Sequence, residues 1–136
     1  WECADSTWAP GSTSTIWIGT MGGPYKSTNG GATWTKKRSG MPTENTYWGW
    51  TAPVQKVVFD PNNSSRLLAF GGSYRNWAED NGQMGNTKNY GMVWESTNGG
   101  DSWTRKFKIG GSTGDDNNGV NVRDVEWADN GTASVL

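Results

Sequence analysis

The chain has 136 residues, the length of one ordinary domain, with 12 basic and 13 acidic residues and a net charge of −1. Its lysines and arginines are scattered, which excludes the basic footprint of a nucleic-acid binder, and no apolar run is long enough to cross a membrane as a helix. With no histidine and a single cysteine, Cys3, it cannot assemble a zinc cluster, a Ser-His-Asp triad or an internal disulfide framework.

Cys3 is therefore a buried or free thiol, or a bridge to another chain or to a part of the protein outside this sequence, and no cofactor is expected. The 20 glycines mark a turn-rich chain, and 10 tryptophans exceed what one small core uses, so some of them are expected at a surface.

In chain order, a ragged strand before Trp8 is followed by strands at 15–19, 23–27 and 33–37. The last two flank the octet Ser27-Thr28-Asn29-Gly30-Gly31-Ala32-Thr33-Trp34. Residue types predict a tight turn here. Serine and asparagine bond nearby backbone, paired glycines supply positive φ, and a β-former leads into a large aromatic that is offered to the next repeat. The octet returns as Ser96-Thr97-Asn98-Gly99-Gly100-Asp101-Ser102-Trp103, 69 residues later.

A second punctuation interleaves with it. Trp8-Ala9-Pro10, Phe59-Asp60-Pro61 and Trp127-Ala128-Asp129 each precede a polar turn and an apolar strand. The middle copy predicts strands at 54–59 and 66–70 around a turn at 60–65, then strands at 90–95 and 102–107 around the second octet. The end of the chain predicts a first strand at 120–127 and the opening of a second at 134–136.

Both octets resemble the Asp-box repeat of bacterial neuraminidases, with Asn at the usual Asp position. The resemblance assigns Ser27, Asn29, Gly31, Trp34, Ser96, Asn98, Gly100 and Trp103 to the structure of the turns. It implies an all-β chain of four-stranded antiparallel β-propeller blades, about two blades plus the start of a third. The first blade falls at 1–38, the second at 54–108 and the start of the third at 120–136. Propellers close with ~4–8 blades, so further blades or other chains are expected to complete the ring.

The octet spacing is well beyond the ~40–45 residues of a compact four-stranded blade. The excess lies at 39–53 and 72–89, and long inserts on one face of a repeat array are where binding sites tend to be. They carry Tyr47, Trp48 and Trp50, and Tyr74 and Trp77. Flat rings beside Asn, Gln, Arg and Glu suit stacking on sugars; the alternative is that they pack the loops onto the blades. The Asx-rich tract 115–118 offers either oxygen ligands for Ca²⁺ or, on the reading preferred here, a plain turn.

Ile18-Gly19-Thr20-Met21-Gly22-Gly23-Pro24-Tyr25-Lys26, then 54–61, then Gly71-Gly72-Ser73-Tyr74-Arg75-Asn76-Trp77 and the second octet are similar to the opening blades of glycoside hydrolase family 74. That family contains xyloglucan-degrading endoglucanases built from two seven-bladed propellers with the substrate cleft between them. The resemblance implies that Tyr74 and Trp77 lie towards a glycan face and that the protein is extracellular; the sequons at Asn62, Asn63 and Asn130 fit a secreted chain.

The same resemblance places the family's catalytic Asp within Thr-Asp-Ile-Gly-Gly-Ala-Tyr-Arg. Here the segment reads Thr20-Met21-Gly22-Gly23-Pro24-Tyr25-Lys26, with no carboxylate at the corresponding positions. Glycoside hydrolysis of the usual kind needs two carboxyl groups, so Glu44, Glu79 and Asp80 on the inserts are the stand-ins, and carboxylates from outside this sequence are the alternative. Sialidases fit less well: there is no Arg-Ile-Pro segment, and the five arginines are dispersed. The expectation is an extracellular propeller that binds or degrades a β-glucan or xyloglucan. The alternative is a non-catalytic structural or adhesion module that assembles through exposed blade edges.

Overall fold

A computed structural model of the chain describes residues 3–41, 53–72, 91–109, 122–129 and 134–135. These residues are all-β, with two four-stranded antiparallel sheets and a short hairpin, and no helix among them. The first sheet runs β1 (Cys3–Trp8), β2 (Ile16–Thr20), β3 (Gly23–Ser27) and β4 (Thr35–Lys36). The second runs β5 (Lys56–Asp60), β6 (Asn63–Gly72), β7 (Gly91–Ser96) and β8 (Thr104–Ile109). In each, sequence neighbours are sheet neighbours, so every connection is a hairpin.

Both octets close the hairpin between third and fourth strands, and they do so with one hydrogen-bond pattern. Ser27 Oγ accepts from the Gly31 amide at 2.9 Å, and Asn29 Oδ1 accepts from the Thr33 amide at 2.9 Å. Asn29 Nδ2 donates to Thr33 Oγ1 at 2.8 Å. Ser96, Asn98, Gly100 and Ser102 repeat these bonds at 2.9, 2.9 and 2.8 Å. The amide of Asn supplies acceptor and donor together, which is why it serves where the resembling motif carries a carboxylate.

The two sheets stack through an apolar layer of Trp17, Met41, Val54, Val57, Leu67, Ala69, Met92, Trp94 and Trp103, with Phe59 against it. At its centre the Trp17 and Trp103 rings meet edge to face, 6.0 Å apart and inclined 88°, the arrangement ring quadrupoles favour. Trp103 is also bonded by its surroundings: its amide donates to the Ser39 carbonyl at 2.9 Å and its indole Nε1 to the Lys37 carbonyl at 3.0 Å. The octet tryptophan therefore packs on the sheet that precedes it, not on the next repeat. The reason is geometric, because the segment leaving β4 passes beside the second octet and holds it against the first sheet.

Three further expectations change. The turn expected at 60–65 is only Pro61-Asn62: Asp60 Oδ1 accepts from the Asn62 amide at 2.8 Å, and Asp60 pairs with Asn63, which opens β6 early. Of the strand expected at 33–37, β4 keeps just Thr35–Lys36, and Thr33 is held instead by the octet network. Residues 122–127 form no strand; a hairpin begins instead with β9 (Ala128–Asp129) paired to β10 (Ser134–Val135). A two-residue ladder holds little chain, and 122–127 are fixed by side chains. Val122, Val125 and Trp127 cover Leu68, Phe70 and Val93 on the far side of the second sheet.

Candidate functional site

The octets lie at one end of the sheets, and Pro53 and Gly72, where the first insert ends and the second begins, lie at the other. The octets and the Pro61-Asn62 turn occupy one end; the β2–β3 turn at Met21-Gly22, the start of β5 and the β6–β7 boundary at Gly72 and Gly91 occupy the other. Pro53 reaches this second end beside Gly71, where a Cβ would overlap the Pro53 carbonyl, and the Gln55 amide donates to the Phe70 carbonyl at 2.7 Å. The end of the first insert and the start of the second are thus brought to one place. The residues singled out on them, Tyr47, Trp48, Trp50, Tyr74 and Trp77 and the carboxylates Glu44, Glu79 and Asp80, lie outside the described residues.

What is described at this end is the β2–β3 turn. Thr20 is buried; its Oγ1 donates to the Gly23 carbonyl at 2.8 Å and accepts from the Gly22 amide at 3.0 Å. Its carbonyl accepts from the Val54 amide at 3.0 Å, tying the turn to the second sheet. The turn is built from a hydroxyl, a thioether, glycines and a proline, so it can position a neighbour but has no group to donate or accept a proton in hydrolysis.

Sequence reading missed a charged cluster at the octet end of the second sheet. Arg66 Nε donates to Glu95 Oε1 at 2.7 Å and its NH1 lies 3.4 Å from Asp60 Oδ2, while Lys106 Nζ bonds Glu95 Oε2 at 2.8 Å. The Arg66 guanidinium also lies 4.5 Å over the Trp127 ring. Strand pairing brings these residues together from 60, 66, 95 and 106; only the alternation of charge with apolar residues at the strand ends hinted at it. Burial alone would raise the Glu95 pKa, but its bonds to Lys106 and Arg66 outweigh that and hold it below the ordinary 4.5. A glycosidase acid needs the opposite shift, so Glu95 is set to anchor strands rather than to donate a proton.

The sign of that shift gives a test. A depressed carboxylate stabilises the fold above its unfolded pKa, and the contribution is lost as pH falls through the folded value. Chemical denaturation should therefore show stability declining below about pH 4.5, and Glu95→Gln should flatten that acid limb while costing stability at neutral pH. An unchanged acid limb would contradict the assignment. The Asp5–Lys56 pair, 3.0 Å apart, also lowers the Asp5 pKa, but both groups are well exposed and contribute little.

A second polar feature is a groove of about 200 Å³ lined by Lys26, Thr28, Thr33, Thr35 and Lys37. Its lysines are engaged: Lys37 pairs with Asp101 at 2.8 Å, and Lys26 lies 5.4 Å from the Trp17 ring centre and 3.5 Å from the Gly99 carbonyl. Among the described residues there is no group of three or more acidic, His or Cys side chains that could hold a metal ion.

Comparison with solved structures places this arrangement. The chain is similar to the crystal structure of an ancestral GH74 enzyme, with a TM-score of 0.55 and 22% identity over 80% of the chain. The fold is that of β-propeller blades. The chain spans 13% of that enzyme's length. No family model and no curated protein matches.

Proposed function

We propose that this chain is a two-blade portion of a secreted propeller that binds β-glucan of the xyloglucan class, with hydrolysis, where it occurs, depending on carboxylates outside these blades. The observation that carries the reading is the likeness of the paired sheets to part of a GH74 enzyme. The approach of Pro53, which ends the first insert, to Gly71, just before the second, supports it, as does the exposure of the sequon residues Asn62 and Asn63 at the other end.

In this reading Tyr74 and Trp77, with Tyr47, Trp48 and Trp50, supply stacking surfaces, and the octets hold the blades that present them. The β2–β3 turn contributes shape without a proton donor, so the chain alone binds glycan and releases no reducing ends.

Titration of the chain with xyloglucan oligosaccharides tests this. Each ring that stacks is worth ~0.5–1.5 kcal/mol, so Trp77→Ala should weaken binding up to about tenfold, and Tyr74→Ala somewhat less. Absence of binding to xyloglucan and mixed-linkage glucan, or binding indifferent to all five aromatic positions, would overturn the proposal.

A further inference from the structure

The groove of about 200 Å³ lies beside β4, the edge strand of the first sheet. Trp17 pairs with Lys26 and Lys26 with Thr35, so the groove opens on the side of that sheet which bears Trp17. The second octet reaches it from the other sheet. Its Gly99 carbonyl lies 3.5 Å from Lys26 Nζ, and Asp101 Oδ1 lies 2.8 Å from Lys37 Nζ. Thr28, Thr33 and Thr35, all exposed, complete the lining.

The two lysines stand where the second sheet has an ion pair. Lys26 pairs with Thr35 as Glu95 pairs with Thr104, and Lys37 and Lys106 each follow two residues later. In the second sheet these positions hold a carboxylate and an ammonium, bonded to each other at 2.8 Å. In the first they hold two ammoniums, and the carboxylate beside them comes from the other sheet. Asp101 has no counterpart in the first octet, where Ala32 stands, and its side chain is 67% exposed, so Lys37 holds it where water also reaches. The bond and the charge of Lys37 keep the Asp101 carboxyl below its ordinary pKa of 3.8, and the charge of Lys26 adds to them. A carboxylate at this spot is therefore favoured by both lysines.

We propose that this groove is a binding site for an acidic sugar: a uronate carboxylate takes the place of Asp101 against Lys37 and Lys26, and the threonine hydroxyls bond the hydroxyls of the sugar ring. An ammonium that bonds one oxygen keeps further N–H donors, and its bonds to a carboxylate are charge-assisted. The hydroxyls beside the two charges are what suit a sugar acid better than a bare anion. Asp101 is then a resident competitor, easily displaced because an exposed ion pair contributes little. At about 200 Å³ the groove is smaller than the ~300–1,000 Å³ of a site for a drug-sized ligand, so it seats about one residue of a longer acidic polysaccharide. The site uses neither the inserts nor their aromatics and adds a charged ligand to the neutral glucan proposed above.

Titration of the 136-residue chain with tetragalacturonate, followed by amide NMR shifts, tests the site, with galactotetraose and acetate as the comparison probes. Tetragalacturonate should shift the amides of Thr28, Thr33 and Lys37 and bind more tightly than either. Lys26→Gln and Lys37→Gln should each weaken binding up to about fivefold, the scale of an exposed ion pair, while Lys26→Arg retains it and Asp101→Asn strengthens it by a similar factor. No binding by either the unaltered chain or Asp101→Asn would overturn the proposal, as would binding indifferent to both lysine substitutions. Equal affinity for galactotetraose would overturn recognition of the acid group, and equal affinity for acetate would overturn the sugar as its source. Ligand and residues both differ from those of the xyloglucan titration, so the two experiments fail independently.

Discussion

Trp103→Ala is expected to destabilise the chain by about 3–5 kcal/mol, the usual range for deleting a buried large aromatic, and to lower the melting temperature on the order of 10 °C or more. The ring fills the centre of the layer between the sheets, touches Trp17, and donates its indole hydrogen to the Lys37 carbonyl. Removing it creates a cavity and leaves that carbonyl without its donor. Trp34→Ala, at the equivalent position in the first octet, should cost about 1 kcal/mol or less, because that ring is already 37% exposed. Denaturant titration of the two variants gives both values; equal costs would mean that the tryptophans occupy equivalent environments, against the packing described.

The second large effect separates turn conformation from sheet packing. Gly100 has φ +86° and Gly31 φ +92°, so alanine at either position meets the same backbone penalty, about 1–2 kcal/mol for a left-handed L-residue. At Gly100 the added methyl also collides with the Trp17 ring, and overpacking typically costs a further ~1–3 kcal/mol. Gly100→Ala should therefore be the more damaging of the pair by that margin, with circular dichroism melts as the readout. Equal losses would show that the Trp17 ring does not press on the second turn.

These contrasts mark what the sequence reveals and what it hides. The octets announce themselves because turn chemistry is local: Ser27, Asn29 and Gly31 bond within eight residues, and the same residue types recur at Ser96, Asn98 and Gly100. The strands between them are legible from turn signals and apolar runs, and the propeller fold is implied by the resemblance that the octets carry. The direction in which Trp103 packs is not local. It depends on the path of residues 37–41 beside the second octet, which no periodicity records.

The Arg66 cluster is hidden for the same reason, since Asp60, Arg66, Glu95 and Lys106 meet only once four strands are in register. Of the strand expected at 120–127, residues 122–127 form no ladder, because an apolar pattern specifies burial and leaves the source of the ladder bonds open. Val122 and Val125 are half-buried against the second sheet without a strand partner. Of the candidate site, sequence picks out aromatics on the inserts, which lie outside the described residues, while the structure contributes only the approach of Pro53 to Gly71.

The stacking of one blade on the next through Trp17 and Trp103 is the contact on which the rest depends, and a double-mutant cycle measures it directly. Trp17→Ala, Trp103→Ala and the double variant, unfolded in denaturant under one set of conditions, give the coupling free energy between the two rings. The packing described predicts coupling of about 0.5–3 kcal/mol, as found for residues in direct contact. Single-variant costs that add to within about 0.3–0.5 kcal/mol would show that the rings do not meet and would contradict the tandem arrangement of the two blades.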